Sequence, residues 1–233
     1  MNNDFNCFSR TKTMTKISPP QGNLGQSTAP AIDESLSQNV PLKKTGGLDS
    51  ISRLLVGADG KPTKSLPPLE KWNPEYCGEM DLVIRANGEW WHEGTRMTRE
   101  PLIKLFSTVL WREEEEYFLK TPVEKIKIQV VDAPLMVVDV EQVEDNGQTF
   151  VRCTTKTGDV VIADAEHRIE MREFVVDGVS EIRPYIRIRR NLDALIHRNA
   201  FYHLVNWSVL EHTDAGEAMV LRSGDEQFVL GLV

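Results

Sequence analysis

Apolar positions recur with two different periods along this chain, and each change of period marks a change of element. Leu82 and Ile84 alternate with Val83 and Arg85, Asn87-Gly88 supplies a turn, and Trp90-Trp91-His92 returns as a second strand, which predicts a hairpin. Alternation puts Trp90 and His92 on one face and Trp91 on the other, so at least one indole belongs to the core, and the second either joins the core or lines a cleft, alternation alone not saying which is which. The period then lengthens. Leu102, Leu105, Phe106, Val109 and Leu110 share one helical face behind Thr98 as N-cap, with Met97 and Leu102 at staple positions and Pro101 in the first turn. A helix ending near Trp111 is expected. The acids of REEEE oppose its dipole there and are expected in a solvated turn, with an acidic patch as the alternative.

Strand signals follow in series. Ile126, Ile128 and Val130 alternate with Lys125, Lys127 and Gln129, and Leu135 to Val140, read as one apolar run, is expected to be a strand buried on both faces. Asn146-Gly147, Thr157-Gly158 and Asp177-Gly178 divide the rest into hairpins, giving a predominantly antiparallel sheet. In the last quarter Arg183 to Arg190 and Leu192 to Ile196 read as strands. Asn199 can cap a helix carrying Phe201, Leu204, Val205 and Ser208, and two strands joined at Ser223-Gly224 close the chain. The order strand, strand, helix, strand, strand also fits Leu82 to Val131, and IRANGEWWH (Ile84 to His92) matches IRRNLDALIH (Ile188 to His197) at both ends. An internal duplication is expected on that order of elements.

The first 66 residues break the pattern. They are rich in Asn, Gln, Ser, Thr, Pro and Gly, too poor in large apolar groups to offset the entropy of ordering them, and read as a disordered arm. A short helix near residues 48–56 is the exception, since Leu48, Ile51, Leu54 and Leu55 share a face; Met14 is an internal start candidate. The expected organisation is therefore an arm over residues 1–66, a small α+β domain over 67–122 and a β-rich domain over 123–233.

Composition narrows the function. Of 233 residues, 40% are hydrophobic and the net charge is -8, so the chain can bury a core while its overall field repels DNA, RNA and anionic membrane. Cys7, Cys77 and Cys153 match neither a zinc motif nor a disulfide framework, which fits a reducing cytoplasm. No apolar run is long enough to span a membrane. Catalytic motifs are missing too: no nucleophile elbow, no phosphate-binding loop, and no metal pair among His92, His167, His197, His203 and His212. No catalytic residue, metal or cofactor is assigned. His92 and His197 converge only if the repeats pack about a pseudo-twofold axis.

RPYIRIRR carries the one concentrated chemical signal. Extended, it turns Arg183, Tyr185, Arg187 and Arg189 to one side and Ile182, Pro184, Ile186 and Ile188 to the other. Guanidinium forks hold phosphate or carboxylate, and a phenol ring offers a stacking surface, so an anionic, nucleotide-like ligand suits that face. The competing reading pairs the arginines with acids of the preceding strand such as Glu170 and Glu173.

Three long stretches, NGEWWHEGTRMTREPLIKLFSTVLW, YFLKTPVEKIKIQVVDAPLMVV and RPYIRIRRNLDALIHRNAFYHLV, closely resemble the uncharacterised bacterial family known as domain of unknown function 1285, from about Pro67 to Val233. The resemblance implies an internally duplicated fold, a small N-terminal α+β domain, a C-terminal domain like a pleckstrin-homology barrel, an inter-domain cleft for a nucleotide-like ligand, and a role in signalling. Matching positions are Trp91, His92, Thr121, Pro122, Glu124, Lys125, Tyr185, Arg189, Leu195 and Tyr202, while REEEE departs from the family's shorter turn. Together these readings give a cytoplasmic, non-enzymatic binding or sensing module with Tyr185, Arg187, Arg189, Trp91, His92, His197 and Lys125 as ligand-binding candidates. The alternatives are a protein-interaction adaptor acting through the barrel-like domain or the helix after Asn199, and an enzyme using His92 or His197.

Overall fold

The computed structural model describes residues 66–213 and 216–233, so the arm and its short helix lie outside the described residues. Fifteen strands and two α-helices are described, in three open sheets. The first sheet takes β1 (Tyr76–Ile84), β2 (Trp90–His92), β3 (Thr95–Arg96), β4 (Leu110–Glu113), β5 (Glu116–Lys120) and β6 (Lys125–Val130) in the order β3-β2-β1-β6-β5-β4. The second takes β7 (Leu135–Asp145), β8 (Gln148–Thr155), β9 (Val160–Ile162), β10 (Ile169–Val176), β11 (Val179–Arg189) and β12 (Leu192–Ile196) in the order β10-β11-β12-β7-β8-β9.

These two orders are one topology. Each sheet consists of two antiparallel three-stranded meanders, and the first strand of one meander lies parallel to the last strand of the other, β1 beside β6 and β7 beside β12. The duplication is therefore real, but its register differs from the one the letters suggest: IRANGEWWH runs from β1 into β2, whereas IRRNLDALIH runs from β11 into β12, which occupy the places of β5 and β6. The strand-strand-helix order recurs because α1 (Glu100–Thr108) follows β3 and α2 (Arg198–Trp207) follows β12, at different points of the topology. β6, read from alternation as the opening of the second half, belongs to the first sheet.

After α2, three strands follow where two were expected: β13 (Val209–Thr213), β14 (Gly216–Ser223) and β15 (Glu226–Leu232) form a third sheet. β14 packs by β8 and β15 by β10. Ser223 Oγ accepts from Val151 N at 2.9 Å and donates to Ala163 O at 2.6 Å, and at Gly224 a Cβ would run into the Phe150 ring. The strand pairings close no barrel among the described residues.

Buried side chains from both halves form one continuous cluster, from Leu82, Ile84, Trp90, Phe106 and Leu119 through Val137, Ile186 and Leu192 to Leu204 and Phe228. Trp90 is the core indole and Trp91 the outward one. α1 is shorter than its stripe. Arg99, not Thr98, is the N-cap and the helix stops at Thr108, because Leu110 and Trp111 enter β4 opposite Leu119 and Phe118. Cross-strand partners thus override a helical stripe. The REEEE acids form the β4–β5 hairpin, and three of them are paired: Glu115 with Arg112 (2.9 Å), Glu113 with Lys125 (2.7 Å) and Glu116 with Lys127 (2.5 Å). His197, rather than Asn199, caps α2: its Nδ1 accepts from Asn199 N at 3.3 Å.

Candidate anion basin and inter-domain clamp

β11 carries the Arg-Tyr motif, and its neighbours sort the four side chains into two groups. Pro184, Ile186 and Ile188 enter the core as alternation demands, but Ile182 is 64% exposed because the strand has outrun the core there. Opposite Arg187 and Arg189 the β11–β12 register slips by a bulge, Arg187 facing Asp193 and Arg189 facing Leu192.

Before the bulge Tyr185 and Arg187 face a basin of about 160 Å³ on the second sheet. Tyr185, 5% exposed, lies in its floor and donates from its hydroxyl to Asp132 at 2.6 Å. Burial first, then that hydrogen bond to a carboxylate, raises the phenol's pKa. Arg183 grips the same Asp132 at 2.9 Å, so the segment between the two sheets is tied to β11. Around the basin stand Arg168, Arg172 and Arg187, each 41–49% exposed, with the acids Glu166, Glu170 and Asp193 among them, and Arg168 is paired with Glu226 at 3.1 Å. Asp193, on β12, accepts from Arg187 Nε at 2.5 Å and Arg172 Nη1 at 3.0 Å. Arg172 also stacks 4.2 Å over the Tyr185 ring, the surface on which a planar group would otherwise rest.

Beyond the bulge the side chains bind the other half of the molecule. Arg189, 9% exposed, pairs with Asp159 of the β8–β9 turn and donates to Ser107 O at the end of α1 (2.5 Å). Asp159 is held in turn by the hydroxyls of Thr155 (3.0 Å) and Thr157 (2.9 Å). Arg190, at φ 51° in the β11–β12 turn, pairs with Glu70 and donates to Pro67 O at 2.9 Å, and Asn191 Nδ2 donates to Arg112 O at 2.9 Å. The run Arg189-Arg190-Asn191 is a clamp between the two halves. The cleft beside it, between Gly88, Trp90 and Met97 on one side and Met136, Lys156 and Thr157 on the other, encloses about 40 Å³. That is room for about three water molecules.

The arginines do pair with acids, as one reading of the sequence had it, but the partners are Asp132, Glu181, Asp193 and Asp159. Glu170 lies opposite Tyr185, and Glu173 accepts from Ser180. Of the candidate ligand residues, only Tyr185 and Arg187 line the basin. Arg189 is in the clamp. Trp91 sits under Arg85 (3.7 Å) with its indole N–H on Glu89, and His92 is half-buried at the end of β2. Lys125 is paired with Glu113 on the first sheet, and His197 is spent on its cap. Thr121 and Glu124 close the β5–β6 turn, Leu195 is half-buried, and Tyr202 is exposed on α2. Arg168, Arg172 and Asp193 were not singled out from sequence. Their only signal was alternation of charge on strands whose pairing the letters do not reveal.

An α+β protein of two double-meander sheets, with an arginine-lined basin on the second, is the class these features define. The chain belongs to the DUF1285 family: the family's N-terminal domain of unknown function matches residues 67–133 and its C-terminal domain matches residues 134–230. It is similar to a DUF1285 family protein of Silicibacter pomeroyi DSS-3 at 34% identity, covering 80% of this chain and 96% of that one with a TM-score of 0.70. A DUF1285 family protein from Shewanella baltica OS155 matches at 30% identity over 55% of this chain and 91% of that one, with a TM-score of 0.42. No curated protein matches the chain.

Proposed function

We propose that this protein is a non-enzymatic binding module that holds a compact anion in the basin floored by Tyr185 and Asp193. The observation that carries the reading is the convergence of the partly exposed guanidinium forks of Arg168, Arg172 and Arg187 on one concavity, which they share with Glu166, Glu170 and Asp193. At about 160 Å³ the basin suits a phosphate or carboxylate group. Drug-sized ligands use pockets of roughly 300–1,000 Å³, so a nucleotide-like ligand would enter by its phosphate end. Arg172 and Arg187 would exchange part of their contact with Asp193 for the ligand, which makes binding and the β11–β12 geometry interdependent. A pleckstrin-homology-like character for the second half, a signalling role and a cytoplasmic setting belong to this proposal; the unpaired thiols Cys77 and Cys153 support the last of these.

Thermal unfolding of the full chain against inorganic phosphate, pyrophosphate and nucleoside phosphates tests the reading. A ligand at about 100 times its dissociation constant adds about 2.7 kcal/mol of stability. Arg172→Lys with Arg187→Lys leaves Asp193 a cation but removes the forks, and should abolish the shift. An unchanged shift in that variant, or none in wild type, defeats the reading.

An adaptor role has one observation of its own. β12 pairs with β11 only from Tyr185 onward, so residues 179–184 and their β10 partners form a two-stranded ribbon with Val175, Val179 and Ile182 59–64% exposed. Val179→Lys with Ile182→Lys would then release a protein partner retained by wild type without altering the anion response.

A further inference from the structure

Lys120 is the one lysine among the buried residues described, 6% exposed at the end of β5, and its ammonium has neither an ion pair nor a hydrogen-bond acceptor among the described residues. It lies 4.1 Å from the centre of the Trp111 ring. The acids around it are already engaged. Glu113 is held by Lys125 at 2.7 Å and by the Trp111 indole N–H at 3.0 Å, and Glu70 pairs with Arg190. Three cations, Lys120, Lys125 and Arg190, thus share two carboxylates, Glu70 and Glu113. The local charge is +1 (three positive, two negative).

We propose that Lys120 is a site of reversible carbamate formation with carbon dioxide. The neutral amine attacks the carbon, a new N–C bond forms as one C=O π bond opens, and the amine proton leaves to solvent, so no other reactant is needed. Burial is the first cause of a lowered Lys120 pKa, and the nearby Lys125 and Arg190 add to it against Glu113 and Glu70, which enlarges the fraction of free amine. Those same two cations stabilise the carbamate anion once formed. This inference stands apart from the basin and does not depend on its ligand.

The test uses the full chain equilibrated with isotopically labelled bicarbonate and carbon dioxide at mildly alkaline pH, read by carbon NMR and by trialkyloxonium trapping with peptide mass spectrometry. One carbamate resonance is expected, with the trapped group on the Lys120 peptide. Lys120→Arg should lose both. Lys125→Met, which removes a stabilising cation and releases Glu113, should lower the trapped fraction at Lys120 while the fold is retained. Absence of a carbamate in wild type overturns the proposal, as does trapping on exposed lysines such as Lys71 and Lys104 with Lys120 unmarked. Because trapping is read on wild type, a misfolded variant does not blunt the test.

Discussion

Arg187 and Arg189 stand two residues apart on one strand, and a reading by alternation gives them one role. Their surroundings give them two. Arg187 keeps 43% of its side chain exposed at a basin shared with Arg172, whereas Arg189 is 9% exposed and joins the β8–β9 turn to the end of α1. A bulge and the proximity of the first half make the difference. The lesson is that an arginine-rich strand is a binding surface only where nothing else in the molecule needs its donors.

Substitutions at the two positions test that contrast most strongly. Arg189→Ala leaves Asp159 without its cation and Ser107 O without its donor, and should cost about 3 kcal/mol in urea unfolding. Arg187→Ala should cost about 1 kcal/mol or less, since Asp193 keeps Arg172 and the pair is half in water. Equal costs would dissolve the distinction between basin and clamp. Tyr185→Phe, which takes a hydrogen bond from the buried Asp132, should fall between them at about 1–2 kcal/mol.

A second pair of predictions sharpens the clamp itself. At Gly88, where φ is +72°, an added Cβ would stand 3.1–3.3 Å from the Met136 side chain across the cleft, so Gly88→Ala should destabilise by somewhat more than about 1 kcal/mol. Cysteine labelling gives the smallest effect. Burial raises the Cys153 pKa to about 12, so its thiol should stay unlabelled in the native protein while the exposed Cys77 reacts, and clamp variants should speed Cys153 labelling only if they open the core.

On the first sheet, Glu113 offers a pH control unrelated to the basin. Its hydrogen bond to Lys125 is the first cause of a lowered pKa, so this contribution to stability is full above the ordinary carboxylate range and is lost as pH falls through the lowered value. Acid unfolding that Lys125→Met leaves unchanged would remove Lys125 from this account.

Much of the architecture was legible in advance. Period-two alternation and Asn-Gly or Asp-Gly turns located β1, β6, β8, β11 and β12 because those signals are local: the turns at Asn146-Gly147 and Asp177-Gly178 place both residues at positive φ, which few other residues tolerate. Thr108 to Trp111 went the other way, since the choice between one more helical turn and a strand rested on Phe118 and Leu119 of a strand still to come.

The sequence by itself determined composition-level facts and local elements: a net charge of -8, the core positions Pro184, Ile186 and Ile188 of β11, the turn sites, and that the chain repeats an order of strands. Only the tertiary structure decided the register of that duplication, because it rests on the parallel pairs β1–β6 and β7–β12, whose partners are separated by whole meanders. It alone also decided which arginine stays available. Asp132, Asp159 and Asp193 are distant or differently placed in the chain, and the competition among them for guanidinium donors is settled by distance in space.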